Sequence, residues 1–320
     1  DDLGYGDLGF TGSRSVNTPA LDQLAAEGVV LENFYSPAAT CTPSRAGFLT
    51  GRLAPRAGIP DVVFPTGSLK SLLNILPGSP LRIPAEEITL ADILQAAGYR
   101  TAMVGKWHLG DRSPSLPNDM GFDDFYGALY SNDMEPFALY HNDQIVVPAP
   151  VQQSTLNALY TDAAVSFIEQ STAAAPLFLY YAHNFPHRPL HSSDAQSGRS
   201  SGGLYGDVVE DLDNSVAQLV AALKASGSFD NTLIIVSSDN GPWYQGSTGS
   251  DRGRKGDTFD GGMHVPFLAH WPLGLPQPRR LAGISMGTDL LPTLLDWLSL
   301  PPPGDRIIDG KSIRNMLATG

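Results

Sequence analysis

Thr101-Ala102-Met103-Val104-Gly105-Lys106-Trp107-His108 is an apolar run that ends abruptly in a cation and an imidazole. Two further runs share this form: Leu177 to Ala182 leads to His183 and His187, and Leu233 to Val236 leads to Asp239 and Asn240. Short continuous apolar runs read as strands buried on both faces. Between them lie segments with helical punctuation, which place helices at 18–27, 89–97, 156–170, 206–225 and 288–298. Pro19 stands just inside the first and Gly28 past its end, while Thr89 and Gly98 bracket the second. Strands alternating with helices predict an α/β fold with a mostly parallel central sheet covered by helices on both faces. In such sheets ligands bind outside the carboxyl ends of the strands, so the polar residues that end each run are expected at one pocket.

Working outward, the one cysteine of the 320 residues lies in Cys41-Thr42-Pro43-Ser44-Arg45, followed by Leu49-Thr50-Gly51-Arg52. A single thiol makes no intrachain disulfide and is too little sulfur for a cysteine-built zinc site, so reactivity is the property left to explain. Pro43 suits the first turn of a helix running to about Gly51, which puts residue 41 at a helix N-terminus. There the free N–H groups and the positive dipole end favour an anionic nucleophile and an anionic substrate. Arg45, one turn on, adds a fixed charge suited to oxyanions.

The string C-x-P-S-R with a downstream L-T-G-R resembles the signature of the sulfatase family, in the branch of arylsulfatase A and N-acetylgalactosamine-6-sulfatase within the alkaline phosphatase superfamily. Other segments carry the resemblance along the chain in order. Asp1-Asp2-Leu3-Gly4-Tyr5-Gly6-Asp7-Leu8-Gly9 is similar to the paired-aspartate metal motif, and Gly105-Lys106-Trp107-His108-Leu109-Gly110 to the G-K-W-H-L-G segment. His187-Arg188-Pro189 fits H-x-P, and Ser238-Asp239-Asn240-Gly241 fits the second metal motif. Arg254-Lys255-Gly256, followed by Phe259-Asp260-Gly261-Gly262, resembles the last catalytic-lysine segment.

The resemblance implies a sulfuric ester hydrolase in which Cys41 is oxidised to formylglycine by a maturation enzyme. Its hydrated aldehyde would attack the sulfur of a sulfated sugar or aryl sulfate. The implied metal ligands are Asp1, Asp2, Cys41, Asp239 and Asn240; an all-oxygen set suits a hard cation, Ca2+ by family precedent, with Mg2+ also admitted. Catalytic roles are implied for Cys41, Arg45, Lys106, His108, His187 and Lys255. Of these, Lys106, His187 and Lys255 would hold the sulfate; His187 or Lys255 would protonate the leaving alcohol, and His108 would take the proton that lets sulfate depart. His183 and His191 lack the following proline and read as packing residues, with a place for His183 at the rim. His264 stands where the family more often carries arginine, and Asp260 where it carries glutamate; both changes point to loop packing or the substrate rim.

Family members carry an apolar strand before the aspartate pair and an antiparallel subdomain at the other end. Residues 1–320 are therefore expected to be one catalytic domain lacking the first strand and the C-terminal subdomain, from an exported protein whose signal peptide is not part of this sequence. With 42% hydrophobic and 17% charged residues the chain can bury a large core. Pro/Gly/Ser-rich stretches at 54–84, 111–118 and 192–203 read as loops bordering the site. No apolar stretch is long enough for a membrane span. A net charge of −13 argues against nucleic acid as a partner and means that cations must be concentrated locally to hold a sulfate. Two alternatives use the same residues: a phosphodiesterase or phosphonate monoester hydrolase of the same superfamily, and a non-catalytic binder of sulfated glycans.

Overall fold

The computed structural model describes residues 1–71, 81–170 and 175–320. In chain order the elements are α1 (Pro19–Glu27), β1 (Val29–Tyr35), α2 (Cys41–Thr50), α3 (Leu90–Ala96), β2 (Arg100–Lys106), β3 (Asp124–Ala128), β4 (Leu139–His141), β5 (Gln144–Val147), α4 (Leu156–Glu169), β6 (Leu177–Ala182), α5 (Gly203–Ala225), β7 (Ile234–Val236), α6 (Asp260–Met263), β8 (Leu268–His270), β9 (Arg279–Met286), α7 (Leu290–Leu298) and α8 (Arg314–Thr319). The expected loop 111–118 contains neither strand nor α-helix, and 192–203 is irregular up to its last residue, Gly203, which begins α5; within 54–84, residues 72–80 lie outside the described residues.

Local chemistry sets the helix ends. At α3 the Thr89 hydroxyl accepts from the Asp92 N–H while the Asp92 carboxylate accepts from the Thr89 N–H at 2.8 Å, a reciprocal cap that satisfies two donors the helix leaves free. α2 ends at Gly51, whose φ of 67° lets its N–H turn back to the Gly47 carbonyl.

The strands form two sheets, ordered β7-β8-β1-β9 and β5-β4-β3-β2-β6. The longest ladders are parallel: β1 with β9, and β2 with both β3 and β6. Antiparallel pairs join β1 to β8, β7 to β8, β3 to β4 and β4 to β5. Because side chains alternate along a strand, successive residues of β2 enter different cores. Met103 packs with Ala46 and Leu49 of α2 and Ala91 of α3, while Val104 packs with Leu156, Tyr160 and Ala164 of α4. The other sheet is covered likewise: Val30 and Leu268 meet Leu21, Leu24 and Val209 of α1 and α5, and Val29 and Leu31 meet Leu290, Trp297 and Leu317 of α7 and α8. Helices on both faces of each sheet follow from strands that are apolar on both sides. Each fully buried aliphatic side chain contributes about 1.5–3 kcal/mol.

The ends of β2, β3 and β6 approach closely at one point. Gly105 has φ 111°, and a Cβ there would lie 2.1 Å from the Ala182 carbonyl oxygen. Only glycine lets the chain swerve there and deliver Lys106 and His108 to the carboxyl end of the sheet.

Candidate active site

Cys41 is the first residue of α2 and is buried. Its Sγ and carboxylate oxygens of Asp1 and Asp239 lie within 4.8 Å of one another. Asp2 joins through its backbone, whose N–H donates to Asp239 Oδ1 at 3.1 Å, and it holds φ 62°, which aspartate tolerates better than most residues. Next to it, the Leu3 N–H donates to Ser238 Oγ at 2.9 Å, so the aspartate pair lies against the segment that follows β7.

Three cations are interleaved with these carboxylates. Arg45, one turn into α2, donates to Asp239 through Nε at 2.9 Å and Nη2 at 2.8 Å, and a third donor holds the Lys106 carbonyl. Lys106 Nζ pairs with Asp1 and lies 3.3 Å from Ser131 Oγ. Lys255 Nζ donates to Asp2 Oδ1 at 2.6 Å and to Cys41 Sγ at 3.3 Å. Burial alone would raise the Asp239 carboxyl, but Arg45 and the lysines hold it well below the usual carboxylate range. Burial opposes the Lys255 charge, yet Cys41 and Asp2 keep its ammonium above its ordinary value. At Lys106, burial prevails and pulls the ammonium down.

The two histidines expected here are both present at the cluster. Burial, then Lys106 and Arg45, push His108 well below its ordinary value; burial, then Lys106 and Lys255, do the same to His187. His108 Nε2 lies 3.1 Å from the Val63 carbonyl and donates to it, leaving Nδ1 buried and without a partner. His187 Nδ1 is 2.6 Å from the Arg188 carbonyl, and Nε2 faces Ser131 Oγ at 3.3 Å and Asp2 at 3.8 Å.

The donor set fits a hard cation. Asp1 Oδ1 and Asn240 Oδ1 are buried with no hydrogen-bond partner. Asn240 Nδ2 donates to Asp2 Oδ1 at 2.7 Å and to the Gly241 carbonyl at 2.9 Å, which fixes the amide with its oxygen free. Two orphaned oxygens beside ionised carboxylates cost energy in water's absence unless a cation or donor meets them.

Thus the fold brings together Asp1, Asp2, Cys41, Arg45, Lys106, His187, Asp239, Asn240 and Lys255, with His108 buried at the end of β2. His183 is not a rim residue: it is buried among the rings of Tyr160, Tyr181 and Phe185, and its Nδ1 accepts from the Phe185 N–H. His264 serves loop packing, stacked on Tyr5 at 3.9 Å and paired with Asp251 at 2.7 Å. Three residues escaped the sequence reading. Ser131 bridges Lys106 and His187, and Asn132 Oδ1 lies 3.1 Å from His187 Nδ1; their signal was a polar pair just after the short apolar strand β3. Asp7 ties Gly4 to Ser247 through backbone bonds of 2.7 Å each.

A family model described as Sulfatase matches residues 1–300. The chain is 36% identical to N-acetylgalactosamine-6-sulfatase of Canis lupus familiaris, with 97% of this chain and 63% of that protein covered. It is 37% identical to arylsulfatase A of Homo sapiens, with 99% and 66% covered. The chain thus spans a little under two thirds of these relatives' length. Among solved structures, Ps i-CgsB in complex with k-i-k-neocarrahexaose superposes with a TM-score of 0.85 at 29% identity, covering 98% of this chain and 73% of that one. No helix among the described residues is long and apolar enough to cross a membrane.

Proposed function

The chain belongs to the sulfatase family, and from that membership we propose that its protein hydrolyses a sulfate ester, that of a sulfated carbohydrate or an aryl sulfate, to alcohol and sulfate. The observation that carries the reading is the position of Cys41: at a helix N-terminus, its sulfur among carboxylates and 3.3 Å from a lysine ammonium. The k-i-k-neocarrahexaose held by one structural relative supports a sugar substrate. A maturation enzyme as partner and an exported location belong to the same reading.

Converted to formylglycine, Cys41 would supply a hydrated aldehyde as nucleophile toward sulfur. Asp1, Asp2, Asp239 and Asn240 would hold a hard cation, Ca2+ or Mg2+, together with the oxygen made from Cys41. When bound, that cation would polarise the sulfate oxygens and offset their charge. Lys106, Lys255 and His187 surround the same point and orient the ester oxygens, while Arg45 fixes Asp239 and carries the helix start. Lys255 Nζ is the group placed to give a proton to the leaving alcohol; His187, its Nδ1–H given to the Arg188 carbonyl, could donate from Nε2 only as the imidazolium, which burial and the two lysines disfavour. His108, with Nε2 committed to Val63, offers bare Nδ1 as the acceptor for the proton whose loss regenerates the site. The buried setting of these side chains excludes bulk water and strengthens each charge contact.

Cys41→Ser tests the assignment. Serine keeps the shape but forms no aldehyde, so turnover of an aryl sulfate should collapse while the folded state is kept. Mass spectrometry of the peptide spanning 41–45 should find the thiol replaced by an aldehyde in active protein. A serine variant with normal turnover, or an intact thiol in fully active protein, overturns the reading.

A further inference from the structure

Beside the cluster the chain exposes an aromatic pair that no step above uses. Trp243 and Tyr244 stand edge to face, ring centroids 5.1 Å apart, three and four residues past Asn240. Tyr244 is 72% exposed, so its ring is open to a ligand. The pair is braced rather than loose. Arg254 Nη1 donates to the Trp243 and Gly246 carbonyls at 3.1 and 2.9 Å with its guanidinium 5.4 Å from the Tyr244 ring, and the Lys255 N–H donates to the Pro242 carbonyl at 3.1 Å. The segment is therefore locked to the lysine that touches Cys41.

Across from it stands Arg188, which follows His187 directly. Its exposed guanidinium lies 5.0 Å from the Trp243 ring, and among the described residues it makes no hydrogen bond and no ion pair. In a chain with 33 acidic and 20 basic residues, an exposed arginine without an acidic partner, directly after His187, is available for a ligand. Stacking on an indole leaves the edge of the guanidinium, with its paired N–H donors, free for an oxyanion.

We propose that Trp243, Tyr244 and Arg188 form a second sugar subsite, which stacks the pyranose next to the one bearing the scissile sulfate and reads a carboxylate or sulfate on that neighbour. A pyranose presents a patch of C–H groups that suits the face of an aromatic ring, and its anionic substituent suits the arginine. This rests on the sulfate-ester reading and narrows it: the preferred substrate is an anionic oligosaccharide, and a small aryl sulfate uses only the inner half of the site. Arg254 is a positioning residue for the platform.

Binding to the full chain carrying Cys41→Ala, in calcium-containing buffer, tests the subsite by calorimetry without turnover. The probes are a 6-sulfated hexosamine, the same sugar extended by a uronate, the extended sugar with its carboxyl reduced to the alcohol, and one extended by a sulfated hexose. The extended anionic probes should bind about tenfold more tightly than the single sugar. Adding Arg188→Gln should remove the gain from charge while sparing that of the carboxyl-reduced probe. Adding Tyr244→Ala should weaken every extended probe relative to the single sugar. A gain with the sulfated but not the uronate extension supports the subsite and identifies its anion as sulfate. Extended probes no tighter than the single sugar, or variants that weaken all four probes by one common factor, overturn it. If the unsubstituted chain releases no sulfate while the binding pattern holds, hydrolysis fails and the subsite stands.

Discussion

Asp7→Asn should change how stability depends on pH. Asp7 is 3% exposed, and its carboxylate accepts from the Gly4 N–H, the Ser247 N–H and the Tyr205 hydroxyl. Those bonds lower its pKa, but burial is the larger effect and pushes the group up from 3.8 to about 6. An acid raised on folding binds more protons in the native than in the unfolded state between these two values, so stability falls as pH rises through that window. About two units at about 1.36 kcal/mol each amount to about 3 kcal/mol, complete about one unit above the native pKa and nearly absent below pH 4. In Asp7→Asn the side chain never ionises and this component disappears. The amide keeps its acceptor for Ser247 but turns a donor toward Gly4, leaving that N–H unpaired at a cost of about 1–3 kcal/mol that does not vary with pH. Urea unfolding of both proteins at pH 4, 5, 6 and 7 isolates the term, because other carboxylates cancel in the difference. The wild-type advantage should shrink by about 2 kcal/mol from pH 4 to pH 6, approach about 3 kcal/mol by pH 7 and level off there. An advantage that is constant across the series, or that grows with pH, refutes the reasoning. Since Asp7 ties the segment of Asp2 to the segment that leads to Lys255, the variant should also lose sulfate-ester turnover at pH 7 more than it loses fold.

Metal removal by exhaustive chelation should abolish activity and lower the melting temperature, because three carboxylates lose the cation set among them, and Asp239→Ala should resemble the chelated protein; full activity after chelation removes the metal from the account. Gly105→Ala should cost at least about 2–3 kcal/mol in denaturant unfolding, since its φ of 111° and a Cβ 2.1 Å from the Ala182 carbonyl force β2 away from β6, and a variant with unchanged stability shows that the strands yield there.

The parts of the fold legible in the sequence were those written in local, continuous signals. β2, β6 and β7 are apolar runs with polar stops, α1 opens on Pro19 and closes at Gly28, α3 carries a capping box, and α4 shows an apolar face. β1 and β9 were missed although they form one of the longest ladders. Val29-Val30-Leu31 is apolar but gives way at once to Glu32-Asn33, and β9 begins with two arginines and exposes every second residue up to Ile284, so neither reads as a buried strand. β8 is three residues long and is held in antiparallel pairs to both β1 and β7, which no local pattern encodes. That the strands divide into two sheets is a matter of partner choice between distant segments, and period alone does not contain it.

Legibility in the site follows a different rule. The residues assigned to the site lie in short ordered motifs, so Cys41, Lys106, His187, Asp239 and Lys255 could be singled out one by one, and the fold places them together. Their pairing was not legible in this way, and it alters the electrostatic argument. The sequence invited a division of labour, with carboxylates for the metal and cations for the sulfate. In the fold Arg45 is committed to Asp239, Lys106 to Asp1 and Lys255 to Asp2. Three negative and three positive side chains leave the cluster near neutrality, which suits an apolar surrounding but offers an incoming sulfate ester little net attraction. A divalent cation held by the orphaned oxygens of Asp1 and Asn240 would supply the net positive charge that an anion needs there. Ser131, bridging Lys106 and His187, gives the Lys106 ammonium a second partner besides Asp1. Pairing of this kind is decided by three-dimensional proximity at the ends of β2, β6 and β7, and a motif, however specific, carries no term for it.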